Sequence, residues 1–476
     1  MGTMNNARWR KTTRAIRVAG LLLAGVGVAQ AEDLSDIYQQ ALNNDPTYLA
    51  GIHQFSADVE GYIQARSSLL PTVSFNVSRT ENKQDIKSSD NQVFGSGSTS
   101  YPTDEYTLSI TQSIYSYSNW ARLRQAEALN ERYQGELAAL EQNLLIRTAE
   151  AYFAALAVHE ENTYIAAEEK AVKQHFELIE AKRKDGLARE TDFLDAQARY
   201  LQTKARALEI RTRLKDSLEM VSELTGNTPA SLALLRVSVP MASPDPASTD
   251  EWLSTALEYN PELKIRTNAV EAAREEVKSL KGGHYPTLDL DISYNNNDTQ
   301  GSLYGGGSEV TTTAATVSLN IPIYSGGLVS SRVRAATDLL SRTMQELELE
   351  QRAVKRQTLS AYDGILTDIA KVESLAKSVE SYELAVEAKR VGFSSGLTTS
   401  LSVLDAERDL FFARSEYARA RYGYILNTLR LKRAVGVLSE ADLTQVNGLL
   451  TGDQAGSAHL SAYSRTTTLA VVGQAD

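Results

Sequence analysis

The sequence predicts a mixed α/β membrane protein, a duplicated unit that combines barrel-type strands with very long coiled-coil helices. Three observations predict it. The chain repeats itself at offsets of 209 to 215 residues. Each half carries two segments of about ten residues with strict apolar/polar alternation. Each half also carries a proline-free helical run of more than sixty residues, far too long for one compact core.

The repeat is read from ordered matches. Ala41-Leu42 with Pro46 returns as Ala256-Leu257 with Pro261, and Pro71-Thr72 returns as Pro286-Thr287. Ile114-Tyr115-Ser116 returns as Ile323-Tyr324-Ser325, and Tyr152 as Tyr362. GLARETDFLDA from Gly186 returns as GLTTSLSVLDA from Gly396, and Gly226 returns as Gly436. The halves are therefore 32–226 and 248–436, joined by a Pro/Ser-rich segment at 227–247 and followed by a tail at 437–476 whose last twenty residues look disordered.

Residues 1–31 read as a secretory signal: five basic residues from Arg8 to Arg17, an apolar run from Val18 to Ala29, then Ala29-Gln30-Ala31. Each half next shows an opening helix, roughly 35–69 and 251–281, ended by Pro71 or Pro286 because the residue before proline leaves the α region. Strands are expected near 71–80, 105–116, 286–295 and 312–324. Val73, Phe75 and Val77 alternate with Ser74, Asn76 and Ser78, and Leu288, Leu290 and Ile292 alternate with Asp289, Asp291 and Ser293. Such segments fit a half-buried soluble sheet or a tilted barrel strand. The long polar loops near 81–104 and 295–311, and aspartates that a water-filled lumen would accept, favour the barrel.

The long helices are expected at 118–185 and 328–391. With Asn130 as the polar exception, Leu123, Leu137, Leu144, Ala151 and Val158 fall at sevenfold spacing, the period of helices that supercoil on one another. The return helices, 191–224 and 400–435, are half as long, so the opening helices must cover the remainder. The Gly-Leu dipeptides at Gly186-Leu187 and Gly396-Leu397 mark two hairpin tips.

Composition narrows the function. With no cysteine, disulfides, thiolate metal sites, thiol catalysis and a lipid-modified N-terminal cysteine are excluded. Removing the signal carries the net charge from −11 to −16, a poor balance for nucleic acid. No phosphate loop, nucleophile elbow or His/carboxylate cluster points to an enzyme, and no cofactor is implied. No window beyond the signal approaches twenty apolar residues, so a closed β-barrel is the remaining way to span a membrane. Four strands cannot close one, and several copies must share it. A soluble periplasmic coiled-coil scaffold explains the helices but leaves the strands unused.

The ordered set of helix, PT-opened strand, strand ending in IYS, long helix, Gly-Leu tip and return helix resembles the TolC family of outer-membrane export channels over about residues 33–440. The resemblance implies a homotrimer in the bacterial outer membrane, a shared twelve-stranded barrel with four strands per chain, and a periplasmic α-barrel tunnel. It implies a passive conduit that meets a periplasmic adaptor (membrane fusion) protein and an inner-membrane ABC or other export transporter. By matching motifs, Thr191 and Asp192 fall on the family's tip pair, Asp405 on one of two aspartates that ring the closed aperture, and Ser402 on the other. Asp195, the repeat mate of Asp405, is expected to join Asp192 and Asp405 in an acidic ring. Phe393 and Thr398 stand where a tyrosine and an arginine usually latch the helices, and neither can make the usual bond. Gly186, Leu187, Gly396 and Leu397 are expected to receive the adaptor. The missing N-terminal cysteine separates the chain from the lipidated drug-efflux branch. Thr398 and Ser402 lean towards type I protein secretion, with multidrug efflux the alternative.

Overall fold

A computed structural model describes residues 31–88, 97–236, 239–301 and 306–451. In chain order the first half runs α1 (Leu34–Asn44), α2 (Pro46–Ser67), β1 (Thr72–Ile86), β2 (Gly97–Tyr115), α3 (Tyr117–Lys184) and α4 (Glu190–Thr225). After β3 (Leu234–Leu235) the second half follows with α5 (Thr249–Tyr259), α6 (Pro261–Lys281), β4 (Thr287–Thr299), β5 (Ser308–Asn320), α7 (Leu328–Ser394) and α8 (Ser400–Ala434). Then come α9 (Glu440–Asn447) and β6 (Leu450–Thr451). Of the expected signal, only Ala31 lies within the described residues, where it is buried.

Each expected opening helix is two helices. Pro46 and Pro261 sit at the first position of α2 and α6, where the missing N–H costs nothing. Asp45 and Asn260 just before them accept from backbone N–H groups as N-caps. The repeat mates are anchored differently. The buried Asp45 carboxylate pairs with Arg147 at 3.0 Å, whereas Asn260 donates to the Ala434 carbonyl at 2.7 Å.

The four long strands form one antiparallel sheet in the order β1-β2-β4-β5. Val73, Ile110, Ile292 and Ala315 line up across it, as do Phe75, Leu108 and Tyr294 in the neighbouring row. On the other face Thr72, Thr111, Asp291 and Thr316 line up, and the Thr111 hydroxyl donates to Asp291 at 2.9 Å. The apolar face is bare: Val73, Phe75 and Val317 are each more than 60% exposed. An aliphatic and aromatic face left open to the outside suits lipid, not the core of a soluble sheet. The strands outrun the expected bounds because ladder pairing continues where both faces turn polar, as at Thr80–Lys83 against Ser100–Thr103. β5 stops at Asn320, short of the expected 324, since Pro322 cannot donate to a ladder.

α3 and α7, of 68 and 67 residues, each extend about 100 Å. α8 packs along both α7 and α3, while α4 lies along α3. α6 likewise lies along both α3 and α7, and α2 along α3. The covering helices are thus partly borrowed from the other repeat, which the sequence reading had not foreseen.

The largest buried cluster sits midway, around α1, the middle of α3, the end of α8, α9 and the 227–247 segment. Here the repeat-mate tyrosines share a task. Tyr152 donates to the Ala233 carbonyl at 2.7 Å, and Tyr362 donates to Ala247 at 2.9 Å, so each ties one end of the connector to its own long helix. The start of the tail, which has no strong periodicity in sequence, is structured. α9 starts with a capping box at Ser439, β6 pairs with β3, and Asn447 caps the far-off start of α1 by accepting from Leu34 N–H at 3.0 Å. The last twenty residues lie outside the described residues.

Candidate functional site at the hairpin tips

Both tips are built by the same local device. Gly186 and Gly396 adopt left-handed φ values of 73° and 75°, open to glycine and strained for other residues. Leu187 N–H then reaches back to the Lys182 carbonyl at 2.7 Å, and Leu397 N–H to Gly392 at 2.8 Å, closing the helix ends. The two leucines point outward, 76% and 82% exposed. Lys182, Arg183 and Lys184 complement the negative end of α3.

The expected site residues divide into two settings. On the first tip, Thr191 and Asp195 are exposed. Asp192 is held by Arg189 through paired bonds of 3.1 and 3.2 Å, and this hydrogen bonding keeps its carboxyl below the usual carboxylate range. Arg183 bonds Glu190 at 2.9 Å and lies 3.7 Å over the buried Phe193 ring. On the second tip, Phe393 is half exposed, and the Thr398 hydroxyl donates to the Lys389 carbonyl at 3.2 Å. Ser402 N–H is capped by Thr399 at 3.3 Å. Thr398 therefore braces its own turn, and Asp192 takes Arg189 in place of a partner from the second tip.

Asp405 is half-exposed and lies at the seam between hairpins. Arg199 of α4 reaches it at 2.7 Å and Arg408 of α8 at 3.7 Å. Sequence reading missed this seam, although its signal is present. Glu161, Glu168 and His175 follow one another at sevenfold spacing on α3, and Arg213, Arg206 and Arg199 at sevenfold spacing on α4. Glu161 pairs with Arg213 at 3.4 Å and with Arg419 of α8 at 2.5 Å. Glu168 is buried beside a cavity of about 70 Å³ that Arg206 and Arg408 also line. Burial pushes its carboxyl up, against the pull of Arg206, Arg199 and Arg408. His175 Nδ1 meets the Ser400 hydroxyl at 3.1 Å. Burial, then Arg199 and Lys182, hold its imidazole below the ordinary histidine value.

Comparison with known proteins identifies the assembly. The profile of the family described as "Outer membrane efflux protein" matches residues 37–227 and 252–437, the two repeats. The outer membrane protein TolC of Vibrio cholerae is 31% identical over 88% of this chain and 93% of its own length. The alkaline protease secretion protein AprF of Pseudomonas aeruginosa is 29% identical over 88% of this chain and 87% of its own. Among solved structures, the CmeC outer membrane channel of Campylobacter jejuni shares the fold with a TM-score of 0.74 at 15% identity, over 87% of this chain and 89% of that one. The OprN outer-membrane channel shares it at 0.69 and 17%, over 85% and 89%. The sheet with two open edges is one third of a twelve-stranded barrel closed by three copies, and the helices below it are the wall of a periplasmic tunnel. The chain is a member of the outer membrane efflux protein family, a TolC-type channel of the bacterial outer membrane and not an enzyme.

Proposed function

We propose that this channel is the exit duct for type I protein secretion, the one-step passage of a protein from cytoplasm to exterior. It would receive a periplasmic adaptor at Gly186-Leu187 and Gly396-Leu397 and act with an inner-membrane ABC transporter. The observation that carries the reading is full-length likeness to two relatives named for this work. Besides AprF, the proteases secretion protein PrtF of Dickeya chrysanthemi is 25% identical over 91% of this chain. The two exposed leucines support the docking role, since each offers an apolar contact on a rigid, closed turn. Asp192, Asp195 and Asp405 would face the tunnel end as an acidic ring that attracts cations and repels anions.

Drug efflux is the second reading, because the Brucella suis relative BepC is named an outer membrane efflux protein. The deciding experiment compares proteins in the culture medium of cells with and without the chain. Loss of one or a few secreted proteins, with unchanged tolerance to dyes and detergents, is the expected outcome. An unchanged medium with lost tolerance overturns the secretion reading.

A further inference from the structure

Two bonds hold the start of α8, and so the second tip, against the first hairpin. One is His175 of α3 to Ser400, and the other is Arg199 of α4 to Asp405. His175 sits among cations. Arg199 faces it from α4 and Lys182 from its own helix, while α8 contributes Ser400 directly and Asp405 only through Arg199 and Arg408. Arg199 is paired with Asp405 through Nη1, while its Nη2 is buried and without a hydrogen-bond partner among the described residues.

From this placement we infer that His175 is an acid-sensitive catch between the two hairpins: neutral, it holds Ser400 in place, and protonated, it drives the second tip away from the first. Neutral imidazole adds no charge beside Arg199 and can accept a hydrogen bond from the Ser400 hydroxyl at Nδ1. Protonated imidazole can only donate, so the Ser400 hydroxyl must turn round to accept. Protonation also places a third cation in a half-buried space shared with Arg199 and Lys182.

The sign follows from linkage. The closed joint holds the imidazole below its ordinary value of 6.5, so the joint is fully stabilised above that pH. The stabilisation is lost as the pH falls through the lowered value. Glu168, one heptad up, has the opposite sign. Its carboxyl is held high in the closed joint, so its protonation at lower pH favours closure. Opening is therefore expected in mild acid, with partial recovery as the pH enters the carboxylate range.

The catch is confined to one of the two kinds of joint in the tunnel. The repeat mates of Glu161, Glu168 and His175 are Lys371, Ser378 and Ala385. The corresponding face of α7 thus carries neither the carboxylates nor the imidazole. An acid step would loosen alternate joints around the ring and leave the others intact.

The chain has no cysteine, so a single Leu397→Cys substitution gives one spin label per copy on an exposed tip residue. Distances between the three labels of the intact trimer are read by pulsed electron resonance from about pH 8 to about pH 5. The expected result is longer, broader distances in acid, with a midpoint below the ordinary histidine value. His175→Gln, which keeps a hydrogen-bonding side chain without the titration, should abolish the shift. Ser400→Ala should show the open distribution already at about pH 8. Distances that do not change with pH in the parent, or a His175→Gln trimer that responds like the parent, overturn the inference. The readout does not depend on cargo, so it stands or falls separately from the secretion reading.

Discussion

Asp405 is a carboxylate with two arginines on it, and that changes what its removal should do. With Arg199 at 2.7 Å, truncation takes away the charge proposed for the ring and also a tie between the hairpins. Asp405→Ala is expected to raise single-channel conductance in planar bilayers severalfold and to weaken cation preference; an unchanged conductance would remove Asp405 from the aperture. Asp192 is different. It is bound within its own turn by Arg189 and makes no bond to the second hairpin among the described residues, so its loss touches charge but not the joint. Residue-level reading of the sequence singled out these aspartates because motifs mark them. It could not find their partners. Arg199 and His175 reach Asp405 and Ser400 across 206 and 225 positions of chain, and sequence spacing reports only neighbours on one helix face.

At the scale of elements, periodicity made most of the architecture legible. Return helices expected at 191–224 and 400–435 are found at Glu190–Thr225 and Ser400–Ala434. Bounds failed where a signal other than periodicity set them. Pro46 and Pro261 start new helices inside patterns that continue through them, and α9 is too short for its pattern to stand out. That small helix supports more than its length suggests. Asn447, just inside its end, accepts from Leu34 and donates to Asp33 at 2.8 Å, so the last described helix caps the first. Asn447→Ala should cost about 1 kcal/mol, the usual scale of a lost N-cap. It should also speed proteolysis near residue 33 more than at the tips, and equal cleavage at both places would argue against the cap.

At the scale of the whole molecule, the repeat shows where another copy must lie. Leu404, Phe411 and Ala418 of α8 are buried or partly buried, with Phe411 stacked on Tyr164 of α3. Their mates on α4, Leu194, Leu201 and Leu208, are each more than 50% exposed at sevenfold spacing. α8 fills the groove between α3 and α7 of its own chain, so α4 should fill the equivalent groove against α7 of the next copy. Leu201→Asp is expected to reduce the trimer fraction on native gels at least severalfold while leaving the helical content of the single chain unchanged. Full trimer recovery would place the stripe elsewhere.

The two unpaired margins of the sheet, β1 and β5, have a genetic consequence. Neither margin can enter hydrocarbon alone, so each copy is committed to two others before any barrel exists. One chain with a damaged margin therefore spoils the two sound chains that join it. In a cell making sound and damaged chains in equal amounts, only about one assembly in eight escapes. A margin mutation would thus be dominant, whereas a null allele of the same gene would be recessive.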